Sequence, residues 1–207
     1  MQPQLCETGL APEQLLEKLG LFMAKIEQLL DLLGLDLREH QLDHIALRIN
    51  DPALAQAAHL AWLDYGQQIS CAQINGRPII VIRFYQPLSI SHWQIECLEL
   101  PYPGLGKTYP VQSWEHVEFV IPASSSSAAE FCIELQQRYP VLAVKWDFLR
   151  ELGIQVKLSS PQGEGERLAN PTLAFQWQGV CVKLHPHALA TIVASEAADQ
   201  ANPHHKL

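Results

Sequence analysis

Two strand-like segments of this chain repeat one another 72 residues apart, and no other feature limits its fold so strongly. Asp43-His44-Ile45-Ala46-Leu47-Arg48-Ile49-Asn50 and Glu115-His116-Val117-Glu118-Phe119-Val120-Ile121-Pro122 agree in class at their first three positions. Apolar residues recur at the fifth and seventh. Each segment is followed by a helical pattern and then by further strands, so the duplication extends to architecture. Two such modules side by side turn their inner faces into one curved, open cleft, which is where a small molecule would bind.

The elements between the repeats fit this plan. Apolar residues from Leu15 to Leu33 recur at helical spacing, which predicts a helix over 12–33 with Gly34 as its stop. Asp51-Pro52 starts a second helix after the first repeat strand. Two strands, 68–74 and 78–85, flank Asn75-Gly76 in the pattern of a hairpin with a primed turn. A fourth strand from His92 to Leu100 completes βαβββ. After a loop to Ser113, Trp114–Ile121 reads as a strand, and Ala128–Arg138 as a helix preceded by the serine run 124–127. Strands follow at Ile154–Leu158, Pro171–Trp177 and Val180–His185, and a further strand is expected near Val141–Trp146. A last helix and tail occupy 187–207. The predicted class is α+β: one domain over 1–207, with modules 43–100 and 114–186 forming a curved, open, mixed sheet around a central cleft.

Hydrophobic residues make up 48% of the chain and charged residues 17%, enough for an ordinary packed core. A net charge of −8 opposes nucleic acid and anionic membranes as partners. The amino terminus lacks a basic stretch followed by an apolar one, and nothing approaches a membrane span, so the expected location is the cytoplasm. Five cysteines without a C-x-x-C pair are expected to be reduced thiols packed as small buried hydrophobes. The chain carries no G-x-G-x-x-G, Walker A or G-x-S-x-G sequence, which removes the commonest nucleotide and serine-hydrolase functions.

Side chains two apart on a strand share a face, so His44 stands with Ala46 and Arg48, His116 with Glu118, and His92 with Gln94 and Glu96. Lys183 stands with His185. Four histidines on four strands suit a divalent metal such as Zn, Mn, Fe or Ni, since imidazole with carboxylate donors accommodates all of these. The candidate ligands are His44, His92, His116 and His185. Glu118 is a candidate ligand, orienting partner or proton-transfer base, and Glu96 or Glu99 is held in reserve because only one of them can face the cleft. Arg48, Arg83, Arg167 and Gln94 are the candidate substrate contacts, guanidinium being suited to bidentate pairing with carboxylates. The loop 159–168 is a candidate lid.

Seven strings carry a resemblance along nearly the whole chain: Asp-His-Ile-Ala-Leu-Arg (43–48), Asn-Gly-Arg-Pro-Ile (75–79), His-Trp-Gln (92–94), Trp-Glu-His-Val-Glu (114–118), Ser-Ser-Pro-Gln-Gly-Glu (159–164), Arg-Leu-Ala-Asn-Pro-Thr-Leu-Ala (167–174) and Lys-Leu-His-Pro (183–186). Their order and spacing resemble the YecM family of the vicinal oxygen chelate superfamily. The resemblance implies paired βαβββ modules, a divalent ion held by strand-borne His and Glu residues, and a small oxygen-rich metabolite chelated on the ion. It implies isomerase, lyase or dioxygenase chemistry, or a metal-free binder using the same cleft, in a monomer or homodimer. It places His44 and His116 at equivalent ligand positions.

Overall fold

In a computed structural model, residues 3–74, 76–160 and 170–200 are described. A short helix, α1 (Pro3–Thr8), precedes the long amphipathic α2 (Pro12–Leu33), which Gly34 ends in the left-handed conformation at φ 72°. The first module comprises β1 (Leu42–Arg48), α3 (Pro52–Trp62), β2 (Gly66–Ile74), β3 (Arg77–Ile90) and β4 (Trp93–Pro101). Asp51 caps α3 by accepting from the Leu54 N–H. The second comprises β5 (Ser113–Val120), α4 (Ala128–Arg138), β6 (Gln155–Ser159), β7 (Thr172–Trp177) and β8 (Val180–His185). Ser127 and Glu130 close a capping box at the start of α4. The helix α6 (Leu189–Gln200) follows β8.

Three expectations are corrected. Residues 141–146 form no strand: Pro140 opens a short helix, α5 (Pro140–Lys145), because a proline at the first helical position has a preset φ and no N–H to satisfy. Strand β3 runs on to Ile90, well past Tyr85, and moves the following turn to Ser91 and His92. Cysteines 97, 132 and 181 are buried and all five are free, but Cys71 is exposed on the edge strand β2 and Cys6 is half-buried.

The eight strands form one sheet in the order β2-β3-β4-β1-β5-β8-β7-β6. Within each module the first strand pairs in parallel with the last, and the modules join where β1 and β5 run antiparallel. The order is symmetric about that junction, as duplication requires. Helices α2, α3 and α4 pack on one face, where Ile45, Leu98, Val117, Phe119 and Val182 build the core. Trp114 Nε1–H donates to the Leu15 carbonyl and Trp93 Nε1–H to the Leu37 carbonyl, so both buried indoles tie the sheet to the N-terminal segment. The opposite face lines a cleft of about 590 Å³ reached by both sheet edges, Ile74 on one side and Lys157 on the other. The loop between modules is pinned by Asn50, whose amide exchanges two hydrogen bonds with the Tyr109 backbone.

Candidate metal centre

The junction of the two modules is where the chemistry gathers. His44 on β1, Glu99 on β4, and His116 and Glu118 on β5 each offer a ligand atom within 4.8 Å of the others. His44 Nε2 lies 3.4 Å from Glu118 Oε1 and 3.7 Å from Glu99 Oε2; His116 Nε2 lies 3.1 and 3.8 Å from the same two carboxylates. Register explains the convergence. Cys97 stands beside His44 and Glu99 beside Ala46 across β1–β4, and Glu118 beside His44 across β1–β5, so all point to one face.

Each imidazole is oriented by the residue before it. Asp43 Oδ2 meets His44 Nδ1 at 3.1 Å, and Glu115 Oε2 meets His116 Nδ1 at 3.1 Å. Adjacent strand residues ordinarily face apart, and the pairing shows how this pair is reconciled. One step on β5, from Phe119 to Glu118, spans two on β1, from Leu42 to His44; one step on β1, from Ala46 to Leu47, spans two on β5, from His116 to Trp114. Asp43 and Glu115 are thus the extra residues of two β-bulges at equivalent places, and a bulge re-aims its side chain. A carboxylate only accepts, so each Nδ1 carries a proton and Nε2 is the nitrogen that each ring turns to the cleft, the one that can bind a metal ion when it carries no proton.

Lys183 occupies the position in module two that Glu99 holds in module one: Glu99 pairs with Ala46, and Lys183 with its equivalent Glu118. Its ammonium donates to Glu118 Oε1 at 2.6 Å and to His116 Nε2 at 2.9 Å. Burial pushes the Glu118 carboxyl up, but Lys183, His44 and His116 outweigh it and hold it well below its ordinary value. Burial pushes Lys183 down, yet Glu118 and Glu99 hold it above the usual lysine range. His44, against its own burial, is raised by Glu118 and Asp43 to about 10, so a metal ion would bind its Nε2 in exchange for a proton. His44 Nε2 is buried without a hydrogen-bond partner.

The remaining expected residues divide. His185 comes to the cluster on β8, its Nε2 3.7 Å from Glu118 Oε2 and 3.8 Å from Asp43 Oδ2, and burial holds it below its ordinary value, in the neutral form. Arg48 lines the cleft, paired with Glu115 and stacked 4.1 Å from the centre of the Tyr109 ring. His92 is not brought in: the length of β3 leaves it in the exposed turn before β4. Arg83 and Gln94 are exposed on β3 and β4, outside the cleft lining, and Arg167 and most of the expected lid lie outside the described residues. Sequence reasoning missed the parts of Asp43, Glu115 and Lys183. The first two immediately precede the repeated histidines, and the third stands two residues before His185, so each was marked by position alone.

Fold and site together define a protein of two paired βαβββ modules with a donor cluster in the cleft where they meet. The YecM protein family model matches residues 11–196, and the chain belongs to that family. It is 37% identical over 175 residues to Protein YecM of Escherichia coli strain K12, covering 84% of this chain and 88% of the relative. It is 31% identical over 176 residues to an uncharacterized protein of Haemophilus influenzae, covering 83% and 87%. A solved structure described as Structural Genomics, Protein EC4020 superposes with a TM-score of 0.74 at 32% identity, over 95% of this chain and 97% of that one. No helix among the described residues is long and apolar enough to cross a membrane.

Proposed function

We propose that this protein is a metal-dependent enzyme of the isomerase, lyase or dioxygenase class, in which His44, Glu99, His116 and Glu118 hold one divalent ion. The cleft admits a small oxygen-rich metabolite. The observation that carries this is the unpartnered, buried Nε2 of His44 within a donor set whose two imidazoles are each tied at Nδ1 by a carboxylate. Two nitrogens and two carboxylates suit Zn, Mn, Fe or Ni. A bound ion of this kind supplies Lewis acidity to oxygens chelated on it.

The chain's own residues supply the rest. Glu118 stays ionised and serves as ligand or proton acceptor. Arg48, held rigid by Glu115 and Tyr109, presents a fixed cation on the cleft wall, and Arg77 and Lys157 add charge at the two edges. A cleft of about 590 Å³ accommodates a metabolite. Five free cysteines agree with a cytoplasmic location, and the net charge of −8 with a small-molecule rather than a nucleic-acid partner, for a monomer or homodimer.

Lys183 favours a second use of the same cleft. Its ammonium already rests between Glu118 and His116, where it could stand in for the ion in a metal-free binder of anionic small molecules. Elemental mass spectrometry on tag-free protein purified without chelator, then reloaded with manganese, iron, nickel or zinc, separates the two. One ion per chain, lost in the His44→Ala, His116→Ala double variant, supports the enzyme; no uptake of any ion sinks it in favour of the binder.

A further inference from the structure

Asn170 lies just before β7, and its amide bridges two partners. Its Oδ1 accepts from the His187 backbone N–H at 3.2 Å, while Nδ2 donates to the His187 carbonyl at 3.4 Å and faces His185 Nδ1 at 3.0 Å. A backbone N–H only donates and a carbonyl only accepts, so the amide has one orientation, and the group facing His185 is a donor. Nδ1 of His185 therefore accepts, and the ring proton sits on Nε2. His44 and His116 are held the other way, with Nδ1 donating to a carboxylate and Nε2 turned to the cleft.

The three cleft histidines are sorted by what stands behind them. Carboxylates leave Nε2 of two of them to an ion, and an amide turns the third into an N–H donor. His185 is 1% exposed, and its Nε2 has no hydrogen-bond partner. The carboxylate oxygens at 3.7 and 3.8 Å lie beyond hydrogen-bond reach. A buried N–H without an acceptor is rare in a native fold, and this one belongs to a residue lining the cleft beside the donor set.

We propose that His185 is a substrate-positioning hydrogen-bond donor, held in its tautomer by Asn170, and not a metal ligand. Its Nε2–H meets an acceptor oxygen of the molecule in the cleft. The substrate consequently presents an acceptor oxygen beside Glu118, of a carbonyl, carboxylate, enolate or hydroxyl group, because an N–H cannot accept from a hydroxyl hydrogen or an ammonium. Only the expectation that this oxygen is one of those chelated on the ion rests on the metal-centre proposal.

Three measurements test this. Two-bond ¹⁵N–¹H correlation spectra of the metal-free wild type should show His185 as the Nε2–H tautomer, and Asn170→Asp should shift it to Nδ1–H; a wild-type Nδ1–H signal overturns the assignment. In zinc titrations His185→Gln should bind within about threefold of wild type, whereas His44→Gln weakens binding by about 100-fold or more. Equal losses would make His185 a ligand and overturn the proposal. With oxalate as the probe on zinc-loaded protein, His185→Ala should bind about tenfold more weakly, and His185→Gln, which retains an N–H, should recover most of that loss. Unchanged oxalate affinity in His185→Ala also overturns it. Absence of zinc uptake by the wild type sinks the metal centre and leaves His185 to be decided by the tautomer measurement.

Discussion

Lys183 sets the energetics of the cleft at the level of single residues. An ion bound as proposed would compete with its ammonium for the same carboxylate, since Glu118 Oε1 cannot serve both at full strength. Removing the charge by Lys183→Met should tighten zinc binding by about tenfold in competition with a chelator, a change typical of groups next to a ligand. The same variant should lower the thermal midpoint of the metal-free protein, because it leaves Glu118 buried without its counter-charge, at a cost of about 3 kcal/mol. Zinc should restore the midpoint. Glu115 gives a pH signature. Burial pushes its carboxyl up, but His116 and Arg48 prevail and bring it from an ordinary 4.5 to about 2. A depressed folded-state value means stability that is fully present above pH 4.5 and is lost as pH falls toward 2. Acid titration of unfolding should therefore be shallower over that window in Glu115→Gln than in wild type, and an unchanged slope would count against the pairing.

At the scale of elements, the bounds of α2 depend on one backbone position. Gly34 has φ 72°, and a methyl group there would strike the Val141 side chain on α5. Gly34→Ala should cost roughly 1–3 kcal/mol in urea unfolding, from the left-handed backbone and the clash together. Adding Val141→Ala removes Cγ1, the atom nearest the added methyl group, and should recover part of the loss, while the Val141 Cβ contact and the backbone cost remain; a double variant as unstable as the single one would refute the contact. The two bulges work at the same scale. They spoil the regular β1–β5 ladder at Asp43 and Glu115, and in exchange each turns a carboxylate to the imidazole beside it.

For the whole molecule, the site exists only where the modules meet. His44 and Glu99 come from one module, His116 and Glu118 from the other, and α2 spans both, packing on β5 and β8 of the second and on α3 of the first. A continuous eight-stranded sheet braced in this way leaves neither half a closed core of its own. Unfolding followed by tryptophan fluorescence and by far-ultraviolet circular dichroism should trace one coincident transition. Two separated transitions would mean that the modules fold independently.

Local pattern made much of this legible. The repeat at 43 and 115, the helical spacing from Leu15 to Leu33 with Gly34 behind it, and Asn75-Gly76 between two strands fix the elements and the duplication, because helix and strand periods and turn chemistry act over a few residues. They also carried His44, His116 and Glu118 into the cleft. Tertiary structure alone decided the rest. His92 left the site because β3 runs to Ile90, a length set by pairing with β4; Lys183 entered it because register across β5 and β8 places it opposite Glu118. The roles of Asp43, Glu115 and Asn170 depend on bulges and on backbone groups distant in the chain, such as the His187 N–H. Which atom of an imidazole carries its proton is settled by the neighbour that folding brings to it, and no spacing along the chain encodes that neighbour.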